Sequence, residues 1–366
     1  MSGFSIAALS RPELAELSAY LPDLASYRVR LDANEAPPIM SAAAKSRIAE
    51  VLAEGAWERY PDPSLSRLRQ AIAQSLGVTP EEVLPGVGSD EVISLLLTAF
   101  VRPLPPADIA TVLTTTPSFV MYRMSARCRG LRVLEVPLDA SWDLSLDALK
   151  SAFQMASPSI VFIASPNNPT GNLMSHERLS RLIASAPQAL FVVDEAYIAY
   201  SDRDQLDLYR RFENVAILRT LSKVGFAAFR LGFLVGRPDV VAELDKVRLP
   251  YNVPTPTQRV AELAFGELQP EIERIAREVV AERARLATRL EALPGVTVTP
   301  SQANFLWLRT ERPAAELYEA LKQRSILVRS FHARGGRLSQ QLRVTIGTPD
   351  ENDALCTAMT ELTCPG

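Results

Sequence analysis

Histidine is almost absent from this chain of 366 residues: there are two, His176 and His332, far apart. That scarcity argues against a serine–histidine hydrolase and against a metal centre built on histidine, so no metal is expected. Cysteine is nearly as rare. Cys128, Cys356 and Cys364 are odd in number and scattered, which suggests reduced thiols in a cytoplasmic protein rather than a disulfide framework or a zinc site. There is no excess of positive charge: 39 Lys and Arg stand against 42 Asp and Glu, for a net charge of -3, so no nucleic-acid footprint is present. No apolar segment reaches the roughly 18 uncharged residues of a membrane helix. The opening MSGFSIAALSRPELAEL lacks the basic start and long apolar centre of a secretory signal. Internal repeats and low-complexity runs are also missing. What remains is a chain that is 47% hydrophobic, with a mean hydropathy of +0.04, as expected of a globular protein with one large domain and a smaller one.

From about residue 80 to 240, short apolar segments alternate with helical patterns. The strand candidates are 109–115, 131–138, 159–165, 189–196, 215–220 and 231–236; helices are predicted over 89–100 and 175–186, among others. Runs such as IVFIA and LFVV are apolar on both faces, as strands of a helix-covered parallel sheet should be. After Pro256 the pattern changes. A long helical stretch over 257–293, broken near Pro270, precedes strand-like 296–300, 304–309, 326–331 and 342–347, with one helix over 313–324. The chain therefore divides into an N-terminal segment (1–35) too short to fold alone, a large α/β domain (36–250) and a smaller α+β domain (251–366).

In an open α/β sheet, ligands bind beyond the carboxyl ends of the strands. Four such ends carry polar residues. In 86-GVGSDE-91, glycines precede Ser89 and Asp90 at a predicted helix start, where free amides and the helix dipole favour an anion; an ordinary Gly-Ser cap with a capping acid reads the same way. In 165-SPNNPTG-171, two asparagines and two prolines specify a rigid turn, with the Asn168 amide available to a ligand oxygen. In 191-FVVDEAY-197, Asp194 and Glu195 end a buried strand and Tyr197 follows; a carboxylate there must be paired, with a protonated ring nitrogen as one partner and the cap of a following helix as the bland alternative. Finally, Lys223 ends the run 215–220, with Ser222 beside it and Arg230 further on. A desolvated lysine is a ready Schiff-base nucleophile, although an ion-paired strand-end lysine would look similar. Read in order, these ends suit an aldehyde cofactor with a phosphate tail, a phenolic oxygen and a pyridine nitrogen.

The motifs resemble those of class I/II aminotransferases, pyridoxal-phosphate enzymes of the aspartate-aminotransferase fold (fold type I). Within that family the chain is most similar to the histidinol-phosphate branch. The match runs through LDANEAP (31–37), RYPDP (59–63), GVGSDE (86–91), PSFVMY (117–122), SPNNPTG (165–171), DEAY (194–197), TLSK (220–223), Arg230 with LGF (231–233), ANF (303–305) and LRVTIGT (342–348). The resemblance implies an α/β large domain with a mostly parallel central sheet beside a smaller α+β domain. It implies that Lys223 binds pyridoxal 5′-phosphate covalently and then moves the proton. Asp194 would keep the pyridine nitrogen protonated. Asn168 and Tyr197 would bond the phenolic oxygen, and Phe119 would stack on the ring. The backbone of Ser89 and Asp90, with Ser222 and Arg230, would hold the phosphate. Tyr60 would reach the phosphate in the neighbouring subunit of a homodimer. Arg343 would pair with the carboxylate of glutamate or 2-oxoglutarate. Arg329 and Tyr20 would face the distal phosphate of histidinol phosphate.

Two stretches depart from the family pattern. The family's Asn-Glu-Asn-Pro-Tyr-Gly, which lines its substrate mouth, is 34-NEAPPIM-40 here, and Ala-Gly-Leu-Arg is 227-AAFR-230, which needs room for Ala228. The resemblance also admits an aminotransferase for another substrate, such as an aromatic amino acid, or a relative of threonine-phosphate decarboxylase. A cofactor-binding regulator would need a DNA-binding module, for which the N-terminal segment is too short. A catalytically dead scaffold does not fit the presence of Lys223, Asp194 and Tyr197 together.

Overall fold

The doubly apolar runs form the middle of a seven-stranded sheet. Its strands are β2 (Val83–Val87), β3 (Thr111–Thr116), β4 (Arg132–Pro137), β5 (Ile160–Ala164), β6 (Leu190–Asp194), β7 (Val215–Thr220) and β8 (Leu231–Val235), in the order β2-β8-β7-β6-β5-β3-β4. Strand β1 (Val29–Leu31) belongs elsewhere. Successive side chains of a strand point to opposite faces. Accordingly Ile160 and Phe162 of β5 enter one buried core and Val161 and Ile163 the other, each covered by helices. The structure, a computed structural model, describes residues 4–15, 17, 19 and 23–363.

The contacts β4·β3, β3·β5, β5·β6 and β6·β7 are parallel, but β8 is antiparallel to both β7 and β2. The cause lies between Thr220 and Leu231. A parallel crossover needs a dozen or more residues, and this connection holds only turns and the short 3-10 helix Ala227–Phe229. The chain must turn back. The reversal places Lys223 and Arg230 at the same sheet edge as the ends of β5 and β6. Strand β2 was not legible in the sequence because VLPGV contains proline and glycine; it is an edge strand, where a missing donor is tolerated.

The second sheet has five strands, ordered β1-β11-β12-β10-β9, with β9 at Val296–Thr299, β10 at Phe305–Thr310, β11 at Ile326–Ser330 and β12 at Gln341–Thr345. The N-terminal strand β1 pairs in parallel with β11, Val29 opposite Ile326. The helical stretch after Pro256 is two helices, Thr255–Phe265 and Gln269–Glu291. The break falls at Gly266–Leu268. Pro270 sits in the first turn of the second helix, where its absent N–H costs nothing. Helices Ala42–Ala53, Ser66–Leu76 and Pro349–Thr363 had no counterpart in the sequence reading. No described helix is long and apolar enough to cross a membrane.

Candidate active site

A cavity of about 370 Å³ opens between the carboxyl edge of the large sheet and the small sheet. It gathers Ser89, Asp90, Phe119, Asn168, Asp194 and Tyr197, and also Ser222, Lys223, Arg230, Arg329 and Arg343. Tyr60 does not line it; its ring is 81% exposed and stacks on Tyr251 at 4.7 Å. Tyr20 lies outside the described residues.

Asp194 ends β6 at the bottom of the cavity and is 2% exposed. Burial raises its carboxyl to about 6, although Tyr122 donates a 2.5 Å hydrogen bond to Oδ2 and the Ala196 amide a 3.0 Å bond to Oδ1. Tyr122 is fully buried and stacked on Phe162 at 4.9 Å. It stands in the PSFVMY motif, yet sequence reading gave it no role. The neighbouring Glu195 points away. It is buried against Arg219, with Nη2 at 2.7 Å, and takes the Gln205 amide at 2.6 Å; burial nevertheless pushes its carboxyl up to about 7. Alternation along the chain end thus assigns one acid to the cavity and its neighbour to the scaffold.

The turn after β5 makes a similar division. Asn167 is buried and staples the loops, donating to the Pro117 carbonyl (3.0 Å) and Thr170 Oγ1 (2.8 Å). Asn168 faces the cavity, and its Oδ1 accepts from Arg343 Nη1 at 2.6 Å. Tyr197, 5% exposed, accepts a 3.0 Å bond from Asn34 Nδ2. Asn34 also accepts from Thr345 Oγ1, so it ties Tyr197 to β12. Sequence reading placed Asn34 in a substrate mouth spanning 34–40. The cavity lining includes Asp32, Ala33 and Asn34 but none of 35–40, and Ile39 and Met40 pack on the core instead.

Lys223 does not end a strand as the sequence predicts. Strand β7 stops at Thr220, and Lys223 lies three residues further, half-buried in a turn rather than desolvated in a strand. Its Nζ stands 5.9 Å from the centre of the Tyr197 ring. The expected tightness at Ala228 is also absent, since Ala228 is exposed in a short 3-10 helix.

The anion cradle is more specific than a capped helix. The helix Gly88–Phe100 begins at Gly88, so Ser89 is in the first turn and not the cap. The Val87 amide bonds the Glu91 carboxylate at 2.6 Å, and the Gly88 amide bonds the Arg230 carbonyl at 2.7 Å. First-turn amides at Ser89 and Asp90 have no partner within the helix. Glycine is required at two points. Gly88 has φ +73, and a Cβ there would fall 2.7 Å from Arg230 Nη2; a Cβ on Gly232 would fall 2.2 Å from the Ser89 nitrogen. Arg230, itself at φ +51, pairs with Asp90 at 3.3 Å, and Ser222 is buried beside it.

The small-sheet wall is cationic. Arg329 and Arg343 are directly opposite in the antiparallel β11–β12 ladder and so share a face. Arg343 is 8% exposed and its Nη2 bonds the Asp32 carbonyl at 2.5 Å. Arg334, missed in the sequence, joins the lining and stands 5.8 Å from the Phe331 ring centre. Its side chain reaches water. Even so, protein crowded around the guanidinium, and then the charge of Arg123, hold its pKa below the ordinary arginine value. Among the described residues, neither Arg329 nor Arg334 forms an ion pair with a carboxylate.

A family model described as aminotransferase class I and II matches residues 22–359. The chain belongs to that family. It is a pyridoxal-phosphate-dependent transaminase of fold type I. It is 40% identical over 359 residues to histidinol-phosphate aminotransferase 1 of Burkholderia lata, spanning 98% of each chain. It is 37% identical over 349 residues to histidinol-phosphate aminotransferase of Aquifex aeolicus, spanning 95% of this chain and 96% of that one. The crystal structure of histidinol-phosphate aminotransferase from Sinorhizobium meliloti with pyridoxal-5′-phosphate matches with a TM-score of 0.86 at 23% identity, covering 99% of this chain and 98% of that one.

The residues present fit such a cofactor. Unpartnered helix-start amides, a serine and an arginine form an anion site that added Cβ atoms would fill. A buried carboxylate with a raised pKa suits a protonated ring nitrogen.

Proposed function

We propose that this aminotransferase moves the amino group of histidinol phosphate to 2-oxoglutarate in two successive half-reactions at one site, in the cytoplasm. The observation that carries the reading is the cationic small-sheet wall, which suits a donor with a phosphate, in a chain 40% identical to a histidinol-phosphate aminotransferase. Pyridoxal phosphate, when bound, supplies an aldehyde that takes the amino group and a ring that accepts the electron pair of the broken C–H bond.

The protein's own groups divide the remaining work. Lys223 would hold the cofactor covalently and would move the proton at the donor carbon. Asp194 holds the proton on the ring nitrogen, helped by the Tyr122 bond that favours its ionised form. Asn168 and Tyr197 bind the phenolic oxygen and Phe119 covers the ring. Ser89 and Asp90 amides, Ser222 and Arg230 bind the cofactor phosphate. Arg343 presents a planar fork already oriented by Asn168 and the Asp32 carbonyl, suited to the carboxylate of glutamate. Arg329, Arg334 and Tyr20 bind the distal phosphate. Residues 1–35 pack with the small domain or the partner subunit, 36–250 form the large domain that holds the cofactor, and 251–366 form the small domain. Trp57, Tyr60, Leu249 and Tyr251 are exposed, which supports a second copy covering them, with Tyr60 reaching its cofactor phosphate.

Donor specificity tests the reading. Purified holoenzyme should convert histidinol phosphate, with 2-oxoglutarate becoming glutamate, with kcat/KM about a hundredfold above that for histidinol, the worth of one or two charge-assisted hydrogen bonds. Turnover of phenylalanine or tyrosine without histidinol phosphate would overturn it. Carbon dioxide release from O-phosphothreonine would identify a decarboxylase instead.

A further inference from the structure

Lys223 sits on weakly constrained backbone. It follows β7 in a turn whose own bond, Val224 amide to Leu221 carbonyl, is 3.3 Å long, and Gly225 at φ +98 comes two residues later. A side chain from another segment supplies the missing constraint: the Tyr200 hydroxyl donates to the Lys223 carbonyl. Tyr200 is 2% exposed, and burial pushes its phenol far above the ordinary value, so the group stays a donor across the working pH range.

The local fold explains why Tyr200 and Tyr197 act on the same residue. Ile198–Tyr200 is a single 3-10 turn with Tyr197 as its cap. Residues three apart eclipse in a 3-10 helix. Tyr197 therefore meets the Lys223 side chain, while Tyr200 meets its backbone. The Tyr200 carbonyl is held in turn by Arg283 Nη1 at 3.1 Å, and the same nitrogen bonds the Ala303 carbonyl at 2.8 Å. Arg283 lies on the long helix Gln269–Glu291, and Ala303 lies two residues before β10 of the small sheet.

We propose that Tyr200 is a positioning residue for Lys223: its hydroxyl fixes the backbone from which the lysine enters the cavity, and Arg283 ties that grip to the small sheet. The inference rests on Lys223 being the cofactor-bearing lysine. A Phe ring at 200 would fill the same core volume, so only the hydroxyl separates a packing role from a positioning one.

The test is Tyr200→Phe, assayed as holoenzyme and as cofactor-free protein. Folding, read by circular dichroism and melting temperature, should stay near wild type. In the holoenzyme, kcat should fall about tenfold with KM for both substrates unchanged, and the pH titration of the cofactor absorption band should shift by half a unit or more. In the cofactor-free protein, the acylation rate of Lys223 by acetic anhydride, read by peptide mass mapping, should change about threefold relative to Lys45, Lys150, Lys246 and Lys322. Arg283→Gln should move the same readouts in the same direction, by less. Should Tyr200→Phe not fold, 4-fluorophenylalanine at 200, which fills the hydroxyl's volume without a donor, carries the comparison. A titration, kcat and acylation rate all matching wild type would overturn the proposal. Failure of the underlying reading is seen separately: Lys223→Ala would then keep a borohydride-reducible cofactor band.

Discussion

On the large-sheet side of the cavity most polar groups have their own partner. Asp194 holds Tyr122 and the Ala196 amide, Tyr197 holds Asn34, and Arg230 holds Asp90. On the small-sheet side, Arg329 and Arg334 line the same space and, among the described residues, neither forms an ion pair with a carboxylate; Arg343 shares their wall. A satisfied wall is pre-organised for one fixed guest. A wall of like charges is complete only when an anion arrives, so it selects among donors. In the proposed function, the cofactor's chemistry and the donor's identity are written on opposite sides of one cavity.

The sharpest way to break this contrast is on the satisfied side. Lys223→Ala should remove transamination by on the order of ten-thousandfold or more and abolish the borohydride-reducible band, since among the described residues no other lysine lines the cavity. Asp194→Asn should cost roughly a hundred- to ten-thousandfold in kcat for every donor alike. The same substitution has a stability signature in cofactor-free protein. The folded carboxyl is raised from 3.8 to about 6, so between those values the folded state keeps a proton that the unfolded chain has lost. Stability therefore falls as pH rises through that window, and Glu195, raised to about 7, extends the fall. Chemical denaturation across pH 4–7 should show Asp194→Asn removing about 3 kcal/mol of it.

On the cationic side the effects should be smaller and selective. Arg334→Gln should lower kcat/KM about tenfold for histidinol phosphate and leave histidinol unchanged, measured by glutamate formation. An equal loss for both donors would erase the distinction between the walls. Smallest of all, Ala228→Gly should shift stability by less than about 1 kcal/mol in a denaturant melt, because Ala228 is exposed.

Much of the satisfied wall was legible because its residues follow apolar strands directly, and a strand end is a place the chain itself marks. The cationic wall was harder. Arg334 stands in an irregular stretch, HARGG, with no periodicity to orient it, and its neighbour Arg123 is distant in sequence. Tyr122 and Asn34 were visible as motif letters, but their partners Asp194 and Tyr197 are 72 and 163 residues away. Strand β2 hid behind Pro85, and the β-α alternation masked the reversal at β8, which follows from a connection too short for a parallel crossover.

By itself, the sequence determined ten of the twelve strands and which polar residues stand at their ends, because those depend on local periodicity and on residues adjacent in the chain. Only the tertiary structure decided that Asp194 faces the cavity while Glu195 faces Arg219, that Lys223 is held by Tyr200 in a turn, and that three arginines share one wall. The first follows from side-chain alternation at the end of β6, the second from a connection too short for a parallel crossover, and the third from the antiparallel pairing of β11 with β12 and the turn after β11.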